Sequence, residues 1–153
     1  MLRISKLADY GTVVLAELAN RHSGFVSAAE VAQATGLGLP TVSKLLKTLA
    51  RAGLVTSTRG SHGGYRLSRD AVEISAADVI DAFEGPVSIT ECSASDSHCG
   101  YEAVCSVGHA WQRINFAIRR ALDEISLADL VRANSPTPRF QFAGTPINIE
   151  RKS

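Results

Sequence analysis

Much of what marks a secreted, membrane or nucleotide-using protein is missing from this sequence. It has no uninterrupted apolar run of about 18 residues, the length a membrane-spanning helix needs. The opening residues MLRISKLADYG carry Arg3, Lys6 and Asp9 where a secretory signal has its apolar core, so a soluble, cytoplasmic protein with no membrane partner is expected. Cysteines number only three, and an odd count in a reducing compartment argues against a disulfide framework. What remains for them is free thiols, metal ligation or redox chemistry. A glycine-rich nucleotide loop is also absent, which speaks against an enzyme with a small-molecule substrate. Three of the five prolines fall after Asn134 in a segment without periodicity, so residues 134–153 are expected as a disordered tail.

What is present fits one ordinary core with an appended helix: 153 residues, 45 % hydrophobic. The net charge of +1 hides an asymmetry. Residues 1–70 hold nine Lys/Arg against four Asp/Glu, whereas residues 71–133 hold four against ten. One half is suited to meeting an anion and the other is not.

Leu7, Val14, Leu15 and Leu18 recur at helical spacing and predict a first helix over Ser5 to Asn20. Ser27 with Glu30 three residues on is a capping box opening a short second helix. After Gly36-Leu37-Gly38-Leu39, Pro40 is expected as the first residue of a third helix, whose apolar positions Val42, Leu45, Leu46 and Leu49 form one stripe and which Gly53 stops. LVTSTRGSHGGYRLS then reads as strand, glycine turn, strand. Ser75 and Asp78 cap a fourth helix that Gly85 closes. A long helix from about Ser106 to Ile125 carries Val107, Trp111, Ile114, Ile118, Ala121 and Ile125 as a heptad seam, which wants another helix beside it. Ser126 and Asp129 cap a last short helix.

The expected fold is therefore mainly α: a winged helix-turn-helix with a two-stranded β wing, plus a long C-terminal dimerisation helix. Residues 1–85 form the DNA-binding domain, 86–105 a cysteine-containing loop, 106–133 the dimerisation helix with the short terminal helix, and 134–153 the tail. In such a motif the start of the third helix enters the major groove. Pro40, Thr41, Ser43, Lys44 and Lys47 are the candidate contacts there, and Arg59-Gly60, with His62 beside them, places an arginine at the wing tip where it can enter a narrow minor groove. The alternative is a dimerisation module without DNA contact, belonging to an enzyme.

Cys92, Cys99 and Cys105 are separated by six and five residues in ECSASDSHCGYEAVC. Three thiols so close can converge on one centre, zinc or iron-sulfur, with His98 and His109 as local candidates for the remaining position. Unliganded thiols are the competing reading. Jointly, MLRISKLADYG, VTSTRGSHGGYRL, ITECS with the three cysteines, and SLADL resemble the IscR and NsrR type of winged-helix iron-sulfur transcription regulators over residues 1–133, closest to regulators of SUF cluster assembly. The resemblance implies a homodimer paired through the 106–125 helix on a DNA operator, with an iron-sulfur cluster, 2Fe-2S or 4Fe-4S, on Cys92, Cys99 and Cys105. In the cluster-assembly branch a histidine sits three residues after the last cysteine, where this chain has Gly108, with His109 one residue late. In the nitric-oxide-sensing branch the fourth ligand is an aspartate of helix one from the partner subunit, and Asp9 stands there. Asp9 is the expected fourth ligand and His109 the alternative.

Overall fold

A computed structural model describes residues 3–21, 24–94, 99–101, 104–132, 140–142 and 145–147. Helix α1 spans Lys6–Asn20, with the Ser5 hydroxyl accepting from the Ala8 N–H and the Ser5 N–H donating to Glu84 Oε1 at 2.6 Å. Its buried face is Ala8, Gly11, Val14, Leu15 and Leu18. Leu7, expected on that stripe, has the right azimuth but stands in the first turn at the helix end and remains 41 % exposed.

Helix α2, Ala28–Thr35, opens on the capping box: Glu30 N–H donates to Ser27 Oγ at 3.2 Å, and Ser27 N–H donates to the Glu30 carboxylate at 2.8 Å. The Ser27 N–H bond, and after it a 2.7 Å bond from the Ser27 hydroxyl, hold the Glu30 carboxyl below its ordinary pKa. Gly36 closes the helix in the left-handed conformation, φ 73°. Helix α3, Leu39–Arg51, is capped by Gly38, which makes Pro40 its second residue and not its first. The shift costs nothing, since first-turn N–H groups have no intrahelical acceptor. Val42, Leu45, Leu46 and Leu49 are fully buried, on the order of 2 kcal/mol each from removal of apolar surface from water. At its end Leu54 N–H reaches Leu49 O and Gly53 N–H reaches Ala50 O, with Gly53 at φ 76°: a Schellman turn that sends the chain into the wing.

Strands β1, Val55–Thr58, and β2, Gly64–Leu67, pair antiparallel with Val55 opposite Leu67 and Thr58 opposite Gly64. A third contributor, unforeseen in the sequence, is Val26, which exchanges both backbone bonds with Tyr65 at 2.9 and 2.8 Å. Helix α4, Ala76–Glu84, begins on the Ser75–Asp78 capping box. Helix α5 spans Gly108–Asp123, shorter than the expected 106–125, so Val107 precedes it and Ile125 follows it. Helix α6, Leu127–Arg132, packs on α1. Its Leu127 is fully buried in the core of the winged helix, and Leu127 N–H donates to Ile74 O while Ala76 N–H donates to Ile125 O. Residues 126–132 thus belong with the head and not with the dimer helix beside which they were expected.

The core joins α1, α2, α3, α4, α6 and the wing root, and no buried polar or charged residue interrupts it among the described residues. Within the segment expected as a disordered tail, Phe140–Phe142 (β3) and Thr145–Ile147 (β4) pair antiparallel, which corrects that expectation over those residues. Phe140, Phe142, Thr145 and Ile147 favour strands, while Pro146 confines the second to an edge. The remainder of 133–153 lies outside the described residues.

Candidate nucleic-acid interface and metal centre

Burial of the α3 stripe turns the opposite face outward. Pro40, Lys44 and Lys47 are exposed on it, and Thr41 and Ser43 flank it half-buried. Arg51, not singled out in the sequence, falls on the same exposed line one turn after Lys47. Among the described residues Lys44, Lys47, Arg51 and Arg59 form no ion pair, whereas Arg21, Arg69 and Arg119 are each held by a carboxylate. Lys44, Lys47, Arg51 and Arg59 are thus free to exchange counterions for phosphates without first breaking an ion pair, a freedom they share with Arg3, Lys6, Arg66, Arg113 and Arg132 elsewhere on the described surface.

At the wing tip Gly60 adopts φ 112° and its carbonyl accepts from Gly63 N–H at 3.0 Å, leaving Arg59, Ser61 and His62 exposed. A side chain at Gly63 would meet the Thr58 carbonyl oxygen at 2.5 Å, so the turn closes only with glycine there. Arg59 and Gly60 are therefore placed as expected, at the tip.

The cysteine segment is clipped to α5. Asn115 of that helix donates Nδ2–H to Val87 O at 3.1 Å and accepts the Ile89 N–H on Oδ1 at 3.2 Å. Gln112 donates to Cys92 O at 3.3 Å. Residues Glu91–Ser93 form a single 3-10 turn, which places the Cys92 thiol 3.2 Å from the Thr90 hydroxyl. One turn beyond Asn115, Arg119 bridges to Asp81 of α4 at 2.7 Å. Partial burial works against the Arg119 charge, but Asp81 and then Asp123 outweigh it and raise the guanidinium's pKa.

All three thiols are free and half-exposed. Beside Cys105, a Cβ on Gly108 would stand 3.6 Å from the sulfur, so the residue at the family's histidine position leaves space at this thiol instead of a ligand. His109 faces a surface hollow with Gln112, Arg113 and Phe116, and His98 lies outside the described residues. Asp9 is exposed in the first turn of α1. Among the described residues of one protomer, no group of three or more His, Cys, Asp or Glu side chains is gathered tightly enough to hold a metal ion. The donor chemistry nonetheless fits an iron-sulfur centre: three unoxidised surface thiols and space beside one of them. Gln112 and Asn115 are the residues that sequence reasoning missed here; two neutral amides one turn apart in mid-helix, beside an apolar seam, were the available signal.

That seam is only partly covered in the protomer, where α4 packs on α5. No residue of α5 is fully buried: Trp111 and Ile114 of the seam are 42 and 44 % exposed, and Ile118 and Ala121 are half-buried. Residues 4–133 match the family model described as Rrf2, iron-dependent transcriptional regulator. The chain belongs to the Rrf2 family. It is 34 % identical over 139 residues to the protein rrf2 of Nitratidesulfovibrio vulgaris, covering 90 % of this chain and 93 % of that one. Among solved structures it resembles CymR, the global cysteine regulator of Bacillus subtilis (TM-score 0.67, 35 % identity, 87 % of this chain and 98 % of that one) and IscR of T. potens (TM-score 0.65, 29 % identity, 92 % and 93 %). This Rrf2 protein is thus a transcriptional regulator of the IscR/NsrR type with a winged-helix fold, and its relatives are regulators and not enzymes. No helix among the described residues is long and apolar enough to cross a membrane.

Proposed function

We propose that this Rrf2 protein is an iron-sulfur-cluster-dependent repressor in the cytoplasm, controlling cluster-assembly or stress genes according to cluster status. It acts as a homodimer paired through α5, reading a double-stranded operator with Pro40, Thr41, Ser43, Lys44 and Lys47 of α3 and with Arg59 and Gly60 of the wing. Cys92, Cys99, Cys105 and the partner subunit's Asp9 hold a cluster, 2Fe-2S in preference to 4Fe-4S. Such a cluster supplies an electron-accepting centre that oxidants and nitric oxide attack. The observation that carries the reading is the clipping of the Cys92 backbone to a helix whose apolar seam leaves Trp111 and Ile114 exposed.

Anaerobic purification tests this. A coloured protein containing iron and acid-labile sulfide is expected, with a Mössbauer spectrum changed by Asp9→Ala and unchanged by His109→Ala. A colourless product, even after cluster reconstitution, overturns it. In that event the second reading stands: a zinc-bound or metal-free thiol regulator on the same fold, favoured by the three half-exposed free thiols and by likeness to a cysteine regulator. Elemental analysis separates its two forms.

A further inference from the structure

We propose that Asn115 is a positioning residue that ties the Cys92 segment to the rotation of α5, an inference that deepens the cluster reading above and rests on it for its functional consequence. The geometry is specific to that task. One side-chain amide bonds the carbonyl of Val87 and the N–H of Ile89, two residues apart, so it fixes both the place and the path of the chain approaching Cys92. Gln112, three residues earlier on the same face, takes the carbonyl of Cys92 itself. Arg119, four residues later, holds Asp81 of the DNA-binding head. Gln112, Asn115 and Arg119 therefore form a polar ridge along α5 with the cysteine segment on one end and the head on the other.

This ridge runs parallel to the apolar seam. Trp111, Ile114 and Ile118 each precede a ridge residue by one position, which on an α-helix is a rotation of about 100°. A turn of α5 that repacks the seam must then carry the ridge with it, and the ridge pulls on Cys92 and on Asp81 together. The three bonds span 20 to 28 residues of sequence, so no local turn would preserve them if the side chains were removed.

Two measurements on the full-length chain test the proposal. The first uses apoprotein in which Cys99→Ala and Cys105→Ala leave Cys92 as the sole thiol, and follows alkylation by iodoacetamide with mass spectrometry. Asn115→Ala is expected to raise the Cys92 rate several-fold, with roughly thirtyfold, the worth of two hydrogen bonds of about 1 kcal/mol each, as the upper bound for a thiol already half-exposed. Asn115→Asp, which keeps the acceptor for Ile89 but loses the donor to Val87, gives an intermediate rate and serves if alanine does not fold. Arg120→Ala, an exposed site on the same helix paired only with Glu124, leaves the rate as in the parent. The second measurement titrates duplex DNA from upstream of the protein's own coding sequence with loaded and cluster-free protein. Asn115→Ala is expected to bring the ratio of the two affinities close to one at unchanged iron content per chain. An alkylation rate within twofold of the parent, or an affinity ratio equal to wild type, overturns the proposal. If wild type takes up no cluster, the cluster reading falls by itself, and the alkylation experiment still decides whether Asn115 positions Cys92.

Discussion

Gly64→Ala is the substitution whose cost the structure defines most sharply. The added Cβ would stand 2.5 Å from the carbonyl oxygen of Val26, 2.7 Å from its carbonyl carbon and 3.0 Å from its nitrogen. Every one of these atoms is backbone, so no side chain can swing away. Relief requires β2 to move off Val26 by about 1 Å, which takes the two Val26–Tyr65 bonds, now 2.9 and 2.8 Å, beyond useful hydrogen-bond length. Each lost bond is worth about 1 kcal/mol net, and alanine at φ 155° adds backbone strain of about 1 kcal/mol or more. The total, about 3 kcal/mol, corresponds to a fall in Tm of roughly 10 °C for a chain of this size. Thermal unfolding by circular dichroism measures it, with Gly100→Ala, where a Cβ meets nothing within 4 Å, as the control. Amide exchange adds a local readout, since protection should be lost first at Val26 and Tyr65. A Gly64→Ala protein melting within about 2 °C of wild type would refute the reasoning.

Lys44→Ala and Arg59→Ala should each weaken operator binding and reduce the slope of log K against log salt by about 1, as loss of one phosphate contact does; an unchanged slope removes that residue from the interface. Leu45→Ala, at a fully buried site, should cost about 2–5 kcal/mol in urea unfolding, while Leu7→Ala, at a site 41 % exposed, should stay within about 0.5 kcal/mol; equal costs would restore Leu7 to the core. Hydrogen bonds from the Ser126 side chain and then its backbone hold the Asp129 carboxyl below its ordinary pKa, and Glu30 is lowered likewise by Ser27. Lowered folded-state values mean that both caps stabilise above the unfolded carboxylate range, about pH 4, and lose that contribution as pH falls through the folded values. Ser126→Ala should therefore destabilise more at pH 7 than near pH 2, where only the Asp129 N–H bond to the Ser126 hydroxyl is lost, and a deficit independent of pH would contradict it.

The caps were legible in the sequence because they are local. Ser27 with Glu30, Ser75 with Asp78, and Ser126 with Asp129 each satisfy first-turn donors within four residues, and all three form as read. The wing was legible for the same reason, through its glycines. What escaped was whatever depends on a distant neighbour. Val26 contributes a single bridge to β2 and carries no strand pattern of its own. The return of α6 to the head rests on Leu127 reaching Ile74, 53 residues back, and nothing in SLADL announces it. At the site, the exposed cations followed from helix periodicity, but Asn115 and Gln112 act on backbone groups far back in the chain. Asparagine in mid-helix is a poor helix former, and that mismatch was its one trace in the sequence.

Among the described residues a protomer leaves the α5 seam partly exposed and the proposed cluster ligands ungathered, and the proposed dimer bears on both. Apposing two copies through α5 about a two-fold axis covers each seam with its twin. The same axis makes every crossing contact reciprocal: if Asp9 of one copy reaches the cysteines of the other, the reverse reach exists too. The proposed ligand set therefore predicts two equivalent centres per dimer, one cluster for each chain. Quantifying iron against protein in the reconstituted dimer, with mass determined under native conditions, tests this directly. A single cluster bridging two copies would place the centre on the axis itself, fed by cysteines from both chains, and would exclude Asp9 as a ligand from the partner.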